Sequence, residues 1–258
     1  MKKTFLLFIL VLCTIALFAQ NVDWLWANQA GGTSGDYGNS IAVDANGNSY
    51  VTGSFCSIAT FGTTTLTSSG GEDIFVAKLD SNGNWLWVKQ AGGTIDDGGN
   101  GIAVDANGNS YVTGSFCSIA TFGTTTLTSS GGEDIFVAKL DSNGNCLWAK
   151  QAGGISWDGC YSIAVDANGS SYVTGYFNGS ATFGTTTLTS SEHFDIFVAK
   201  LDSNGNWLWA RQAGGTDIDY SNSIAVDANG NSYVTGGFYS SATFGTTTLT
   251  SSGGDDIF

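Results

Sequence analysis

Beyond the N-terminal segment, apolar residues occur in short runs separated by turns rich in Asp, Asn and Gly. Residues 40–43 lead through the turn DANGN into residues 49–55, and residues 73–79 lead through DSNGN into residues 85–89. Runs rich in Val, Ile, Tyr and Phe that are joined across an Asn-Gly turn predict β-hairpins. Residues 59–67 are also β-prone and predict a small extra ribbon. Helical periodicity is not evident in this part, so we expect an all-β chain.

The two hairpins belong to a unit that occurs four times. The motif IAVDAN recurs at intervals of 61 residues and begins at Ile41, Ile102, Ile163 and Ile224. The same interval separates the residues that begin each unit, which are Trp24, Trp85, Cys146 and Trp207. A tandem unit of this length with four antiparallel strands predicts the blade of a β-propeller. The rungs of a parallel β-helix, the alternative, are usually shorter than half of this period.

The predicted strands are apolar on both faces. In the third strand of the first unit, Ile74, Val76 and Leu79 alternate with Phe75 and Ala77. Stacked blades bury both faces of each sheet, whereas the strands of a one-sided sandwich alternate more cleanly. The pattern therefore favours a β-propeller of tandem four-stranded antiparallel blades.

Two stretches of the unit also resemble a known family. GNSIAVDANGNSYVTGSF and GGEDIFVAKLDSNGNWLWVKQAGG are similar to the bacterial β-propeller repeat called SBBP, a name that stands for seven-bladed β-propeller. The resemblance covers residues 24–258. It implies a propeller fold, export from the cell and, as for many proteins with this repeat, no assigned activity.

The number of copies is smaller than seven, and the last copy is short. The fourth unit, residues 207–258, has nine residues fewer than the 61 of the other units. We therefore expect either a ring with a defective closing blade or an open four-blade arc, taken from a longer protein. In this division of the chain, residues 20–258 are one propeller domain with units that start near residues 24, 85, 146 and 207.

The first residues predict a signal peptide over residues 1–19. Lys2 and Lys3 precede an apolar run from Thr4 to Phe18, and Ala19 supplies a small residue at a plausible cleavage point. The run is shorter than the roughly 20 residues that a membrane span needs, and no second apolar run follows. We expect no membrane span after signal removal and a location outside the cell, at its surface or in the periplasm.

Charge narrows the choice of partners. The chain has 22 acidic and eight basic residues, which gives a formal net charge of −14. Such a field repels phosphate backbones and anionic lipids, so we expect no nucleic-acid partner. The partner is expected to be a protein or a glycan.

Acidic and aromatic residues in the segments before each first strand are the candidate ligand-binding residues. We expect these variable segments and residues 56–72 to share one end of each blade, opposite the short turns, and function often concentrates in such loops. The recurring acid in these segments alternatively accepts backbone N–H bonds that hold the loop. The candidate set is Asp36, Tyr37, Asp97, Trp157, Asp158, Tyr161, Asp219 and Tyr220.

The sequence does not indicate a catalytic or metal site. The DANGN and DSNGN turns present oxygens at alternate positions, but they lack the Gly and Glu spacing of an EF-hand loop, so we expect no cofactor and treat calcium as the less favoured alternative. The single histidine, His193, occurs in one copy only. Carboxylate pairs such as Glu72-Asp73 and Asp96-Asp97 are expected to be solvated at strand ends rather than to act as in glycosidases.

Four cysteines follow the predicted signal peptide: Cys56, Cys117, Cys146 and Cys160. Export permits disulfides, but equivalent positions in adjacent packed sheets lie about 10 Å apart, beyond the reach of a disulfide. We expect mostly free thiols.

Three function classes remain after this reading. The first is a non-catalytic exported propeller that acts as a scaffold or binding surface. The second is a carbohydrate-binding or carbohydrate-cleaving module, and the third is a quinoprotein-like or assembly-factor propeller. Glycan binding would favour the second, and redox activity the third.

Overall fold

The computed structural model describes residues 23–258, so the predicted signal peptide lies outside the described residues. The described part contains strands and turns, without a helix long and apolar enough to cross a membrane. The strands are β1 (Ala30–Gly32), β2 (Asp36–Val43), β3 (Ser49–Phe61), β4 (Thr64–Leu79), β5 (Trp85–Gly93), β6 (Gly98–Val104), β7 (Ser110–Phe122), β8 (Thr125–Leu140), β9 (Cys146–Ala152), β10 (Gly159–Val165), β11 (Ser171–Phe183), β12 (Thr186–Leu201), β13 (Trp207–Ala213), β14 (Asp219–Val226), β15 (Ser232–Phe238), β16 (Ser241–Phe244), β17 (Thr247–Thr250) and β18 (Asp256–Ile257).

In the structure the units are counted from β2, β6, β10 and β14, so β5, which begins at Trp85, is the fourth strand of the first unit. Counted in this way, each of the first three units forms a four-stranded antiparallel sheet in chain order. In the first unit β2 pairs with β3, β3 with β4 and β4 with β5. The fourth unit contributes β14, β15 and β18, with β16 and β17 as a separate ribbon. The all-β class and the antiparallel blade are therefore confirmed. Among residues 23–258 no strand pairing joins the fourth unit to the first.

The Asp-Asn-Gly turns form because one aspartate caps its own loop. Asp44 Oδ1 accepts the backbone N–H groups of Asn46 and Asn48, each within 3.0 Å, and Oδ2 accepts the Asn48 side-chain amide. Gly47 has φ of 80°, which glycine adopts without a steric penalty. The same arrangement recurs in the other turns, so these aspartates are committed to holding backbone N–H groups.

The small ribbon predicted over residues 59–67 is confirmed, and it continues the β3–β4 hairpin, so residues 56–72 are mostly strand rather than loop. Ser57, with φ of 63°, marks a bulge, after which the two strands pair again from Ile58↔Thr67 to Phe61↔Thr64. In the second unit, the end of the equivalent β7–β8 ribbon also pairs with the preceding unit. Ala91 to Gly93 at the end of β5 pair with Phe122 to Ala120 of β7, which joins the first two units into one nine-stranded sheet.

The apolar core lies between units. One cluster combines Tyr50, Ile74 and Val76 of the first unit with side chains of the second, including Phe122 and Phe136. A second cluster joins the second and third units in the same way. Burial of both sheet faces, inferred from the two-sided apolar strands, is thus satisfied by the neighbouring unit. The four cysteines of the described part are free.

Candidate functional site

Sequence differences among the units concentrate at the ends of the first three strands, away from the Asp-Asn-Gly turns. Tyr37 pairs with Ser54 in the first unit, and the equivalent pairs are Gly98 with Ser115, Gly159 with Tyr176 and Tyr220 with Gly237. Two residues further on, Asn39, Asn100 and Asn222 correspond to Tyr161. The backbone is therefore constant, whereas the side chains presented at this end differ from unit to unit.

These positions line a polar pocket of about 410 Å³ contributed by the first three units. The lining residues are Tyr37, Asn39, Ser54, Glu72, Asp96, Asp97, Gly98, Asn100, Ser115, Glu133, Tyr161 and Tyr176. Asn39 and Asn100 connect adjacent units within the pocket. Their side-chain amides donate to the carbonyl oxygens of Gly99 and Cys160 in the next unit at 3.0 and 3.1 Å.

One side of the pocket is acidic. Ser54 Oγ donates to Glu72 Oε2 at 2.6 Å, and Ser115 donates to Glu133 in the same way. Each hydroxyl fixes one carboxylate oxygen, and the pocket contains no Lys or Arg among its lining residues. Asp96, which is exposed, accepts the backbone N–H of Glu72 at 2.9 Å. This wall therefore presents a high density of negative charge.

The third unit contributes aromatic residues to the same pocket. The rings of Tyr161 and Tyr176 have centroids 5.3 Å apart, and Phe194 meets Tyr176 edge-on at 5.0 Å. Burial and the nearby Glu133 raise the pKa of Tyr176, so its hydroxyl stays protonated. Tyr37, of which 56% is exposed, stands at the mouth on the first unit. Rings beside carboxylates form a site for cations or for hydroxyl-bearing rings.

The recurring acid before each first strand holds the backbone. Asp97 Oδ2 accepts the Gly93 N–H at 2.6 Å and Oδ1 accepts the Cys117 N–H at 3.0 Å, and Asp158 and Asp219 repeat both contacts. Asp36 makes the same pair of contacts at 2.7 and 3.4 Å. Burial raises the pKa of Asp97 to about 7 and that of Asp158 to about 6. The geometry supports the backbone-holding alternative for these acids.

A second buried acid from the preceding unit lies close to Asp97, Asp158 and Asp219. A Cβ placed on Gly153 would lie 2.7 Å from Asp134 Oδ1 and 2.9 Å from Asp158 Oδ2, so both carboxyl groups close on the same glycine. Asp73 with Asp97 and Asp195 with Asp219 repeat this arrangement. The Oδ1 atoms of Asp73, Asp134 and Asp195 are buried without a hydrogen-bond partner. Asp73 and Asp97 are therefore not solvated at strand ends, which corrects that expectation.

Only some of the predicted site residues line the pocket. Tyr37, Asp97 and Tyr161 line it, and of these Asp97 is buried. Trp157 is exposed outside it, and the Tyr220 hydroxyl donates to Asp255 at 2.5 Å. The remaining members, Asp36, Asp158 and Asp219, do not line it either. Ligand binding by the candidate residues stays a prediction. Sequence reasoning left Glu72, Glu133 and Tyr176 out of the candidate set. Tyr176 was detectable, because the equivalent residues of the other units are Ser54, Ser115 and Gly237.

The geometry gives no catalytic constellation in the described part. His193 is exposed and does not line the pocket. Among residues 23–258 no group of three or more His, Cys, Asp and Glu side chains is arranged to hold a metal ion. The arrangement can attract and orient a ligand.

Antiparallel four-stranded units in tandem, with cores between them and a pocket at one end, define a β-propeller repeat protein. Comparison with protein families agrees with this class: the family described as "Beta-propeller repeat", SBBP, matches residues 25–54, 86–115 and 208–236. Each matched segment runs from the fourth strand of one unit into the second strand of the next. The chain thus carries repeats of the SBBP family, and the resemblance is confirmed.

Two relatives of known sequence are similar to parts of the chain. One is "Uncharacterized WD repeat-containing protein L264" of Acanthamoeba polyphaga mimivirus, 28% identical over 64% of this chain and 14% of its own length. The other is "Regulatory protein FlaEY" of Caulobacter vibrioides, 26% identical over 65% of this chain and 18% of its own length. The chain therefore spans less than a fifth of either relative.

A solved structure also matches, a protein of unknown function from Bacteroides caccae, with 14% identity over 69% of this chain and 82% of that one. Its TM-score is 0.27, so it carries no argument about this fold.

Proposed function

We propose that this chain is an exported, non-catalytic binding module that recognises a basic segment of a partner protein in the acidic and aromatic pocket. The observation that carries the proposal is the composition of the pocket, which is lined both by two carboxylates that accept serine hydroxyls and by a tyrosine pair. A Lys or Arg side chain can interact with both kinds of residue, because its charge pairs with carboxylates and is attracted to the face of an aromatic ring. Export rests on the charged and apolar pattern of residues 1–19.

The net charge of the chain also favours a positively charged partner. A net charge of −14 attracts cationic segments from a distance. The pocket combines acidic side chains with aromatic ones. The relatives' printed names describe a WD repeat-containing protein and a regulatory protein, and both are compatible with protein recognition.

Titration of a fluorescent hexalysine peptide tests the proposal. The Glu72→Gln and Glu133→Gln double variant should weaken binding about thirtyfold, because each of the two charge-assisted contacts contributes about 1 kcal/mol. The matched control is Asp23→Asn with Glu192→Gln, which removes two exposed carboxylates outside the pocket. Equal loss in both variants, or no binding by the native chain in low salt, would refute the assignment.

A glycan ligand is the second candidate, and the exposed Tyr161 ring beside Tyr176 favours it. Sugars stack on such rings and donate hydroxyl hydrogens to carboxylates. Binding of a neutral oligosaccharide that is insensitive to salt, and is lost in Tyr161→Ala, would support this candidate over the first.

A further inference from the structure

The residue that begins the fourth strand differs in one unit. Trp85 and Trp207 occupy this position in the first and third units, and Cys146 occupies it in the second. The Trp85 ring meets Phe61 edge-on at 5.6 Å, and Trp207 meets Phe183 in the same way at 5.3 Å. The second unit keeps the corresponding Phe122, which packs on Phe136 as in the other units, but it has no indole ring at this position.

An apolar cavity of about 270 Å³ lies at this place, between the first and second units. Its walls include Ile74, Val112, Phe122, Phe136, Leu140 and Cys146. The equivalent positions of the third unit, Ile135, Val173, Phe183, Phe197 and Leu201, form a packed core against which Trp207 lies. The cavity therefore occupies the space that an indole ring fills one unit further along.

The neighbouring unit also shows which polar group an occupant would meet. Trp207 Nε1 donates to the backbone carbonyl of Gln151 at 3.2 Å. The repeat equivalent of Gln151 is Gln90, and Gln90 lines the cavity. The cavity thus combines apolar walls with Gln90, whose backbone carbonyl corresponds to the one that accepts the Trp207 ring N–H.

We infer that this cavity binds a free planar heteroaromatic molecule of the indole class, seated against Phe122 with its N–H toward Gln90. Size agrees, since an apolar protein cavity of about 150 Å³ already takes up benzene. Burial raises the pKa of the Cys146 thiol, so the thiol is neutral and the binding is non-covalent. This site is separate from the acidic and aromatic pocket and does not depend on the proposed function.

Calorimetric titration with indole tests the inference. The native chain should bind one indole with a Kd below about 1 mM. Indene has the same shape without the N–H and should bind about fivefold more weakly, because one hydrogen bond is lost. In Cys146→Trp the chain's own ring fills the cavity, so binding should disappear while thermal stability rises.

Trp207→Cys is the reciprocal variant and should open a second site of the same kind, raising the stoichiometry from one to two. Two results would overturn the inference: undiminished indole binding by a folded Cys146→Trp, or no binding by the native chain at millimolar indole. Because the pocket is intact in both variants, hexalysine binding should be unchanged, which separates failure of this site from failure of the proposed function.

Discussion

Replacing Asp134 with Asn should stabilise the chain at alkaline pH. Asp134 Oδ2 accepts the Ser130 N–H at 2.9 Å, and an amide oxygen can take over that contact. The amide nitrogen then replaces the buried, unpartnered Oδ1, close to Asp158 Oδ2. The substitution removes a buried negative charge and supplies a donor toward a carboxylate.

The pKa shift sets the magnitude and the pH window. Burial raises the pKa of Asp134 to about 6 from its ordinary value of 3.8. Two pKa units correspond to about 3 kcal/mol between the protonation states, an upper estimate for the gain on removing the charge. Because the folded-state pKa is the higher one, this carboxyl group stabilises the fold below pH 4 relative to pH 8, and that contribution is lost as the pH rises through 6. Asp134→Asn should therefore gain about 1–3 kcal/mol at pH 8 and little at pH 4.

Urea unfolding at pH 8 and pH 4 measures both values, with an unchanged m-value as the check that the midpoint reports stability.

Asp105→Asn in the same unit is the matched control. Asp105 caps a turn through bonds from Asn107, Asn109 and Tyr111, and hydrogen bonds to its ionised form lower its pKa despite the opposing desolvation. This variant should lose about 1 kcal/mol at pH 8, and the loss should shrink as the pH falls through the lowered pKa. Destabilisation of Asp134→Asn at pH 8, or an equal gain at both pH values, would refute the reasoning.

Two further changes test the contacts between units. Gly153→Ala should destabilise the chain by more than about 2 kcal/mol in urea unfolding, because φ is 143° and the new Cβ would lie 2.7 Å from Asp134 Oδ1; an unchanged midpoint would contradict the close approach. Trp148→Phe removes the indole N–H bond to the Ser203 carbonyl of the next unit, 3.2 Å long, and should cost about 1 kcal/mol, whereas Leu147→Ala on the exposed face should cost less.

The local part of the fold was predictable because its causes are local. An aspartate that caps its own Asn-Gly turn needs only the five residues of that turn, so the hairpins were visible as sequence. The ribbon formed by the ends of β3 and β4 was expected as an insertion of uncertain role. Its pairing with the previous unit could not be inferred, because register across units depends on packing rather than on turn chemistry.

The candidate site was predicted in part for a related reason. Variation among copies singled out Tyr37 and Tyr161, which do line the pocket. Glu72 was considered only as part of the pair Glu72-Asp73, which was expected to be solvated at a strand end, and Glu133 is its equivalent in the second unit. Their role follows only from the way successive units place equivalent residues around a shared end.

Contacts from one unit to the next recur along the whole described chain. Tyr50 donates to the Gly108 carbonyl, Trp87 donates to the Ser142 carbonyl, and each acid pair closes on a glycine between units. Because two of the three apolar clusters pack one unit against the next, stability depends on each junction as well as on each blade. A cavity at one junction and a tight core at the next then give the array a weak and a strong interface built from almost the same sequence. The two junctions differ at few positions, and the exchange of Trp for Cys146 is sufficient to account for the cavity.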